Sequence, residues 1–197
     1  MLPTSVHLGL FSINMKQAIR ILAIIGSASK NSSNEQLMTH IQRFAGDHIE
    51  WTFIPDLKIF PHFDPEQSAT LPPEPVGTMR QQIADADAVV ISTPEYVFSI
   101  PSGLKNLIEW TVASTVWDQK PCALITASAH GAKGHEELQL LMRTVGARFN
   151  AATCLLVHGI RSKMNEAGEL SDLQLRQSLS DLMAGLEALI HQSHPIP

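Results

Sequence analysis

The sequence predicts an α/β protein, a doubly wound five-stranded parallel sheet with helices on both faces. Three observations carry that expectation. Short apolar runs of strand length alternate along the chain with segments of helical periodicity. The runs are apolar throughout rather than alternating, as strands covered on both faces must be. The 197 residues, with no repeat or linker among them, hold about one domain of such units joined by right-handed crossovers.

Ile21-Leu22-Ala23-Ile24-Ile25 is the first such run and ends at Gly26. Ser32, Ser33 and Asn34 then offer helix caps, and Leu37, Ile41 and Phe44 follow at helical spacing, so residues 34–45 read as a helix. Trp51-Thr52-Phe53-Ile54 reads as the second strand. The prolines Pro55, Pro61, Pro65, Pro72, Pro73 and Pro75 then predict a long surface loop over 55–75 without regular structure. Val76, Met79 and Ile83 outline the second helix, and Ala88 to Thr93 the third strand. Pro101 opens a further helix, where its missing amide donor costs nothing, with Leu104, Leu107, Ile108 and Val112 as the apolar face. Cys122 to Thr126 is the fourth strand. Leu138, Leu141, Met142 and Val145 mark a helix that stops at Gly146, and Ala151 to Val157 is the fifth strand. Ser171 with Gln174 makes a capping box for the last helix, whose face is Leu175, Leu179, Leu182, Leu186 and Ile190.

Residues 1–19 read as a poorly ordered N-terminal extension, with Met15 an alternative start; 20–192 form the single domain and 193–197 a tail. Hydrophobic residues at 44% and charged residues at 17% exclude a disordered chain. Fourteen basic against nineteen acidic residues, net −5, argue against a nucleic-acid partner, which needs excess cations to neutralise phosphates. No apolar stretch reaches the roughly 18 residues of a membrane span, and residues 1–14 lack the basic start and long apolar centre of a signal peptide. A reducing, cytoplasmic setting is therefore expected, with Cys122 and Cys154 acting as small buried hydrophobes rather than a redox or metal pair. The nine histidines show no metal-ligand spacing. His135-Glu136-Glu137-Leu138-Gln139 lacks the second histidine of a zinc protease, and no Gly-x-Ser-x-Gly elbow is present.

Ligands of open parallel sheets bind at the carboxyl ends of the strands, near the switch in strand order. This directs attention to the loops after the first, third and fourth strands. The first, Gly26 to Asn34, gathers four serine hydroxyls, two amides and a helix N-terminus, which together favour a phosphate monoester. It lacks both the spaced glycines of a dinucleotide fingerprint and the Gly-Lys-Ser/Thr of a P-loop. A serine-rich turn that only caps a helix is the competing reading.

The second loop carries Pro94-Glu95-Tyr96-Val97, then Ser99-Ile100-Pro101-Ser102, then Leu104-Lys105-Asn106-Leu107-Ile108-Glu109-Trp110. This resembles the NADPH-dependent FMN reductase family of flavodoxin-like proteins, with its Pro-Glu-Tyr-Asn, Ser-x-Pro-Gly and Leu-Lys-Asn-Ala-Ile-Asp-Trp motifs. Gly26, Ser27, Ser32 and Asn34 are similar to the family's Gly-Ser-x-Arg-x-x-Ser-x-Asn phosphate loop, and Ser128 to Gly134 to its glycine-rich third loop. The resemblance spans about residues 20–160 and implies strand order 2-1-3-4-5.

It also implies FMN as cofactor and NADPH or NADH as donor, with hydride passing to the flavin and then to a quinone, azo compound, metal oxyanion or free flavin in ping-pong fashion. No acid–base side chain is required, because the flavin carries the chemistry. The implied cofactor residues are Ser27, Ser29, Ser32 and Asn34 at the phosphate, Pro94, Glu95, Tyr96, Val97 and Phe98 along the ring, and Ser128, His130, Gly131 and Ala132 on its other side. Glu95 is equally readable as a helix-proximal hydrogen-bond acceptor, and His130 as a solvated loop residue. Trp110 and Leu107 are core or subunit contact, and the resemblance implies a homodimer or homotetramer. A non-enzymatic flavin-binding electron carrier or sensor is the alternative function.

Three departures stand out. Ser29 replaces the family arginine and leaves Lys30 as the nearby cation, so either FMN binds more weakly or a cation from elsewhere compensates. Val97 replaces an asparagine, which affects ring placement only if the amide makes the contact. Ser102 replaces a glycine.

Overall fold

The computed structural model describes residues 18–54, 56–165 and 167–193. Met15 and, but for residues 18, 19 and 193, the expected extension and tail lie outside the described residues. Five parallel strands, β1 (Ile19–Ile25), β2 (Ile49–Phe53), β3 (Ala88–Thr93), β4 (Cys122–Ser128) and β5 (Cys154–His158), form one sheet in the order 2-1-3-4-5. This is the flavodoxin-type order, and its switch point lies between β1 and β3.

Each central strand sends alternate residues to two separate cores. Ile21, Ala23, Val90, Ala123 and Ile125 face the core built with α1 (Ser33–Phe44) and α6 (Leu173–Ser193). Leu22, Ile24, Val89, Ile91 and Leu124 face the other, shared with α3 (Glu74–Asp85), α4 (Ser102–Glu109) and α5 (Ala132–Thr144). Burial on both faces is why these strands read as unbroken apolar runs.

The differences from the sequence expectation have local causes. Within 55–75 the chain forms a 3₁₀ turn at Leu57–Ile59 and a short helix, α2 (Pro65–Ala69). Asp56 and Asp64 cap them through side-chain oxygens, and Pro65 occupies the first turn, where no amide is needed. Proline thus starts a helix in the segment where it was expected to forbid one. Val112 lies beyond α4 and is exposed, so it is no part of that helix's apolar face. Residues 151–153 form a 3₁₀ turn capped by Asn150 rather than the start of β5. Asp172, not Ser171, caps α6: its Oδ1 accepts from Leu175 N at 2.9 Å, whereas the Ser171 hydroxyl donates to Lys163 O. Cys122 is buried and Cys154 half-buried; both thiols are free, and burial pushes that of Cys154 up to about 11, which leaves it protonated at neutral pH.

Candidate flavin site

The first loop leaves β1 at Gly26, which sits where β1, β3 and α4 converge. A methyl group there would come within 2.4 Å of Thr93 Oγ1, so glycine is the residue that fits. Ser32 caps α1, its hydroxyl accepting from Glu35 N at 3.2 Å. The Ser27 hydroxyl accepts from Ser29 N at 3.3 Å and lies 3.5 Å from the Tyr96 hydroxyl, joining the first loop to the second. Asn34 is buried; its amide donates to Ala127 O at 3.0 Å and its Oδ1 accepts from the Ser92 hydroxyl at 2.9 Å. One side chain therefore holds α1, β3 and β4 together beneath the loop, a positioning role that leaves its backbone at the helix N-terminus.

The second loop is a two-residue reversal. Tyr96 and Ser99 exchange both backbone hydrogen bonds, at 2.9 and 3.0 Å, around Val97 and Phe98, whose φ angles are 52° and 60°. Two successive left-handed residues define the turn type that favours Asn-Gly. Here it carries a β-branched and an aromatic residue, exposed by 93% and 77%. The loop is fixed from α5. The Glu95 carboxylate accepts from Gly134 N at 2.8 Å, and Glu137 accepts from the Ser99 hydroxyl at 2.6 Å and from Ile100 N at 3.1 Å. Glu95 is thus a helix-proximal acceptor. Val97→Asn is expected to raise the unfolding free energy by about 1 kcal/mol by relieving the left-handed strain. A chemical melt that shows no gain would mean that the turn opens without penalty.

The third loop ends at Gly131, in the left-handed region at φ 91°, from which α5 starts. His130 is exposed beside it. His135 is buried in the first turn of α5 and shares a 2.9 Å hydrogen bond between Nδ1 and the Thr126 hydroxyl. Burial lowers its pKa. The unfolded chain thus takes up a proton near pH 6.5 while the folded one resists, so stability is lost as pH falls through that value. Melting temperatures of wild type and His135→Gln between pH 8 and 5 are expected to converge on acidification; parallel curves would exclude this origin.

These loops enclose a cavity of about 790 Å³ at the carboxyl ends of the strands. Ser27, Ser29, Ser32, Asn34, Pro94, Tyr96 and Ser128 line it, together with Lys30. Glu95, Val97, Phe98, His130, Gly131 and Ala132 belong to the same loops but lie outside this lining. The sequence reading missed the end of β5, where Gly159, Ile160, Arg161 and Ser162 complete the wall. β4 and β5 pair through Ser128 and His158, which brings the loop after β5 beside the third loop. The signal available was a Gly-x-Arg-Ser segment following a strand. A second cavity of about 520 Å³ shares Ser27 and Tyr96 with the first and is walled by Leu57, Phe60, Pro61 and the start of α4. The main cavity contains hydroxyls, a helix N-terminus and two cations without any carboxylate, and falls in the usual size range for a cofactor pocket. These groups fit FMN.

Comparison with known proteins agrees with this geometry. The sequence pattern of NADPH-dependent FMN reductases matches residues 19–159. The chain is 33% identical over 160 residues to the CrdA subunit of an NADH:(hydroxy)cinnamate reductase of Vibrio ruber, covering 77% of each chain. It is 33% identical over 186 residues to an NADPH:quinone oxidoreductase of Arabidopsis thaliana, covering 88% of this chain and 93% of the other. The structure of FerB, a flavoenzyme NAD(P)H:(acceptor) oxidoreductase of Paracoccus denitrificans, superposes with a TM-score of 0.74 at 23% identity over 89% of this chain and 98% of that one, which shows a shared fold. With fold, strand order and cavity in place, these matches establish that the chain belongs to the NADPH-dependent FMN reductase family of flavodoxin-like oxidoreductases.

Proposed function

We propose that the protein is an FMN-dependent NAD(P)H oxidoreductase that reduces a quinone, azo compound, metal oxyanion or free flavin by a ping-pong route. The observation that carries the reading is the main cavity, which offers hydroxyls, amides and two cations with no opposing carboxylate at the strand-order switch. The quinone-reducing relatives support that acceptor class among the four.

FMN, when bound, supplies the hydride-accepting and hydride-donating chemistry. Ser27, Ser32 and the first amides of α1 hold the phosphate, because the helix N-terminus offers donors that no backbone carbonyl satisfies. Tyr96 and Pro94 supply apolar cover from the second loop, and Ser128 closes the opposite side. Glu95 and Glu137 lock the second loop to α5, so the walls are set before a ligand arrives. The backbone amides of the second and third loops stabilise negative charge developing near them without reorganisation. No side chain needs to exchange a proton for this chemistry. The domain over 20–192 holds one such site in this reading, which places the protein in the cytoplasm, and the exposed apolar pair Val97 and Phe98 beside the site supports a homodimer or homotetramer.

The test is spectroscopic. Protein incubated with FMN and desalted should keep flavin absorption bands, lose them anaerobically with NADPH and regain them with benzoquinone. Initial rates should give parallel double-reciprocal lines. A colourless protein that cannot be reconstituted sinks the reading, and intersecting lines sink the ping-pong route.

A further inference from the structure

The main cavity is positively charged from two directions. Its lining carries Lys30 on the first loop and Arg161 on the far side, in a chain of net charge −5. Arg161 lies in the 3₁₀ turn Ile160–Lys163, which follows β5 at the opposite end of the sheet from β2. It reaches the cavity from an element remote in sequence.

Hydrogen bonds on either side of Arg161 fix the backbone of the turn. Gly159 adopts φ 61° and donates from its amide to Ser128 O at 2.8 Å. Ser162 returns both its amide, at 2.9 Å, and its hydroxyl, at 2.8 Å, to Gly159 O. Two neighbouring cations are committed, Lys163 to Asp172 and Arg176 to Leu170 O, which leaves Lys30 and Arg161 as the cations of the cavity wall. Among the described residues the Arg161 guanidinium has neither an ion pair nor a hydrogen bond. It is an uncommitted planar fork on the wall of a cavity without carboxylates.

Resting on the FMN reading above, we propose that Arg161 is the phosphate-binding cation of this chain, standing in from the β5 side for the arginine that the first loop lacks at Ser29. Both Arg161 and Lys30 are exposed side chains, but a guanidinium presents two parallel donors to two phosphate oxygens, whereas Lys30 offers a single point charge. The residue therefore sets the preference for a phosphorylated flavin over its dephosphorylated form, and contributes nothing to the grip on the ring.

The experiment strips the protein of flavin and titrates it with FMN and with riboflavin by fluorescence quenching. Arg161→Met should bind FMN about tenfold more weakly or worse while riboflavin affinity stays within about twofold of wild type. Its FMN affinity should also depend less steeply on salt. Restoring a cation on the first loop, in the Ser29→Arg, Arg161→Met double variant, should recover most of the lost FMN affinity. Unchanged FMN affinity in Arg161→Met, or equal loss for both flavins, overturns the assignment. Failure of Ser29→Arg to recover any affinity overturns the claim that the two positions serve one phosphate. Wild-type protein that binds neither flavin overturns the FMN reading itself, and is distinguishable from wild type that binds FMN no better than Arg161→Met.

Discussion

Trp110→Ala is expected to lower the unfolding free energy by about 3–5 kcal/mol, a large share of the roughly 5–15 kcal/mol that holds a domain together. Trp110 is fully buried at the end of α4. Its indole donates to Pro61 O at 2.8 Å, and its ring meets Phe63 edge-on with centroids 5.5 Å apart. Its carbonyl takes Arg80 Nε at 3.0 Å and Nη2 at 2.6 Å. Asn106, one turn earlier, donates to Pro61 O at 2.9 Å and accepts from Phe63 N at 2.8 Å. These contacts lace the proline-rich segment onto α4, and that segment walls the second cavity. Truncation removes the packing and leaves Pro61 O with Asn106 alone. A urea melt reads the loss. Trp110→Phe, which keeps most of the volume, should lose no more than about 1–2 kcal/mol. If both variants lose under 1 kcal/mol, the loop is held by something other than this tryptophan.

Gly26→Ala should cost about 1–3 kcal/mol and weaken FMN binding about tenfold, because the added methyl has no space to enter. It would stand 2.4 Å from Thr93 Oγ1, 2.8 Å from Thr93 Cβ and 2.9 Å from Leu104 Cδ2. Thr93 is itself fully buried, and β1 and β3 are hydrogen-bonded neighbours, so the clash is relieved only by spreading the strands or lifting the first loop. Both movements displace Ser27 and the start of α1. Thermal unfolding and flavin titration of the same variant separate the two effects. A lowered melting temperature with unaltered FMN affinity would show that the phosphate loop is insensitive to its own root.

How much of this was readable in advance differs between elements for physical reasons. β1, β3 and β4 were legible because two-sided burial writes a continuous apolar run. α2 was not legible, because Pro65 and Asp64 are a turn signal and a helix start at once, and only the Asp64 hydrogen bonds to Glu66 N and Gln67 N decide between them. The cap of α6 was misplaced by one residue, since Ser171 and Asp172 are equally competent and Lys163 engages both. At the site, the first loop stands out in the sequence by its hydroxyls and its position after a strand, and its residues line the main cavity. Asn34 stood in the motif, but its burial under the loop and its ties to Ser92 and Ala127 required the fold. Likewise the hydrogen bond that the Glu95 carboxylate accepts from Gly134 N, far along the chain, required the fold.

The sequence by itself determined the α/β class, the five strands and the serine-rich loop at the root of α1, because each depends on residues within a few positions of one another. Periodicity, caps and turn chemistry act at that range. Only the tertiary structure decided which side chains share the cavity. Strand order brings the ends of β1, β3, β4 and β5 together, and so puts Arg161 and Ser29 on one cavity and Glu95 against α5. Contacts between elements far apart in the chain leave no spacing to read, since the sheet's register and the closure of its crossovers create them.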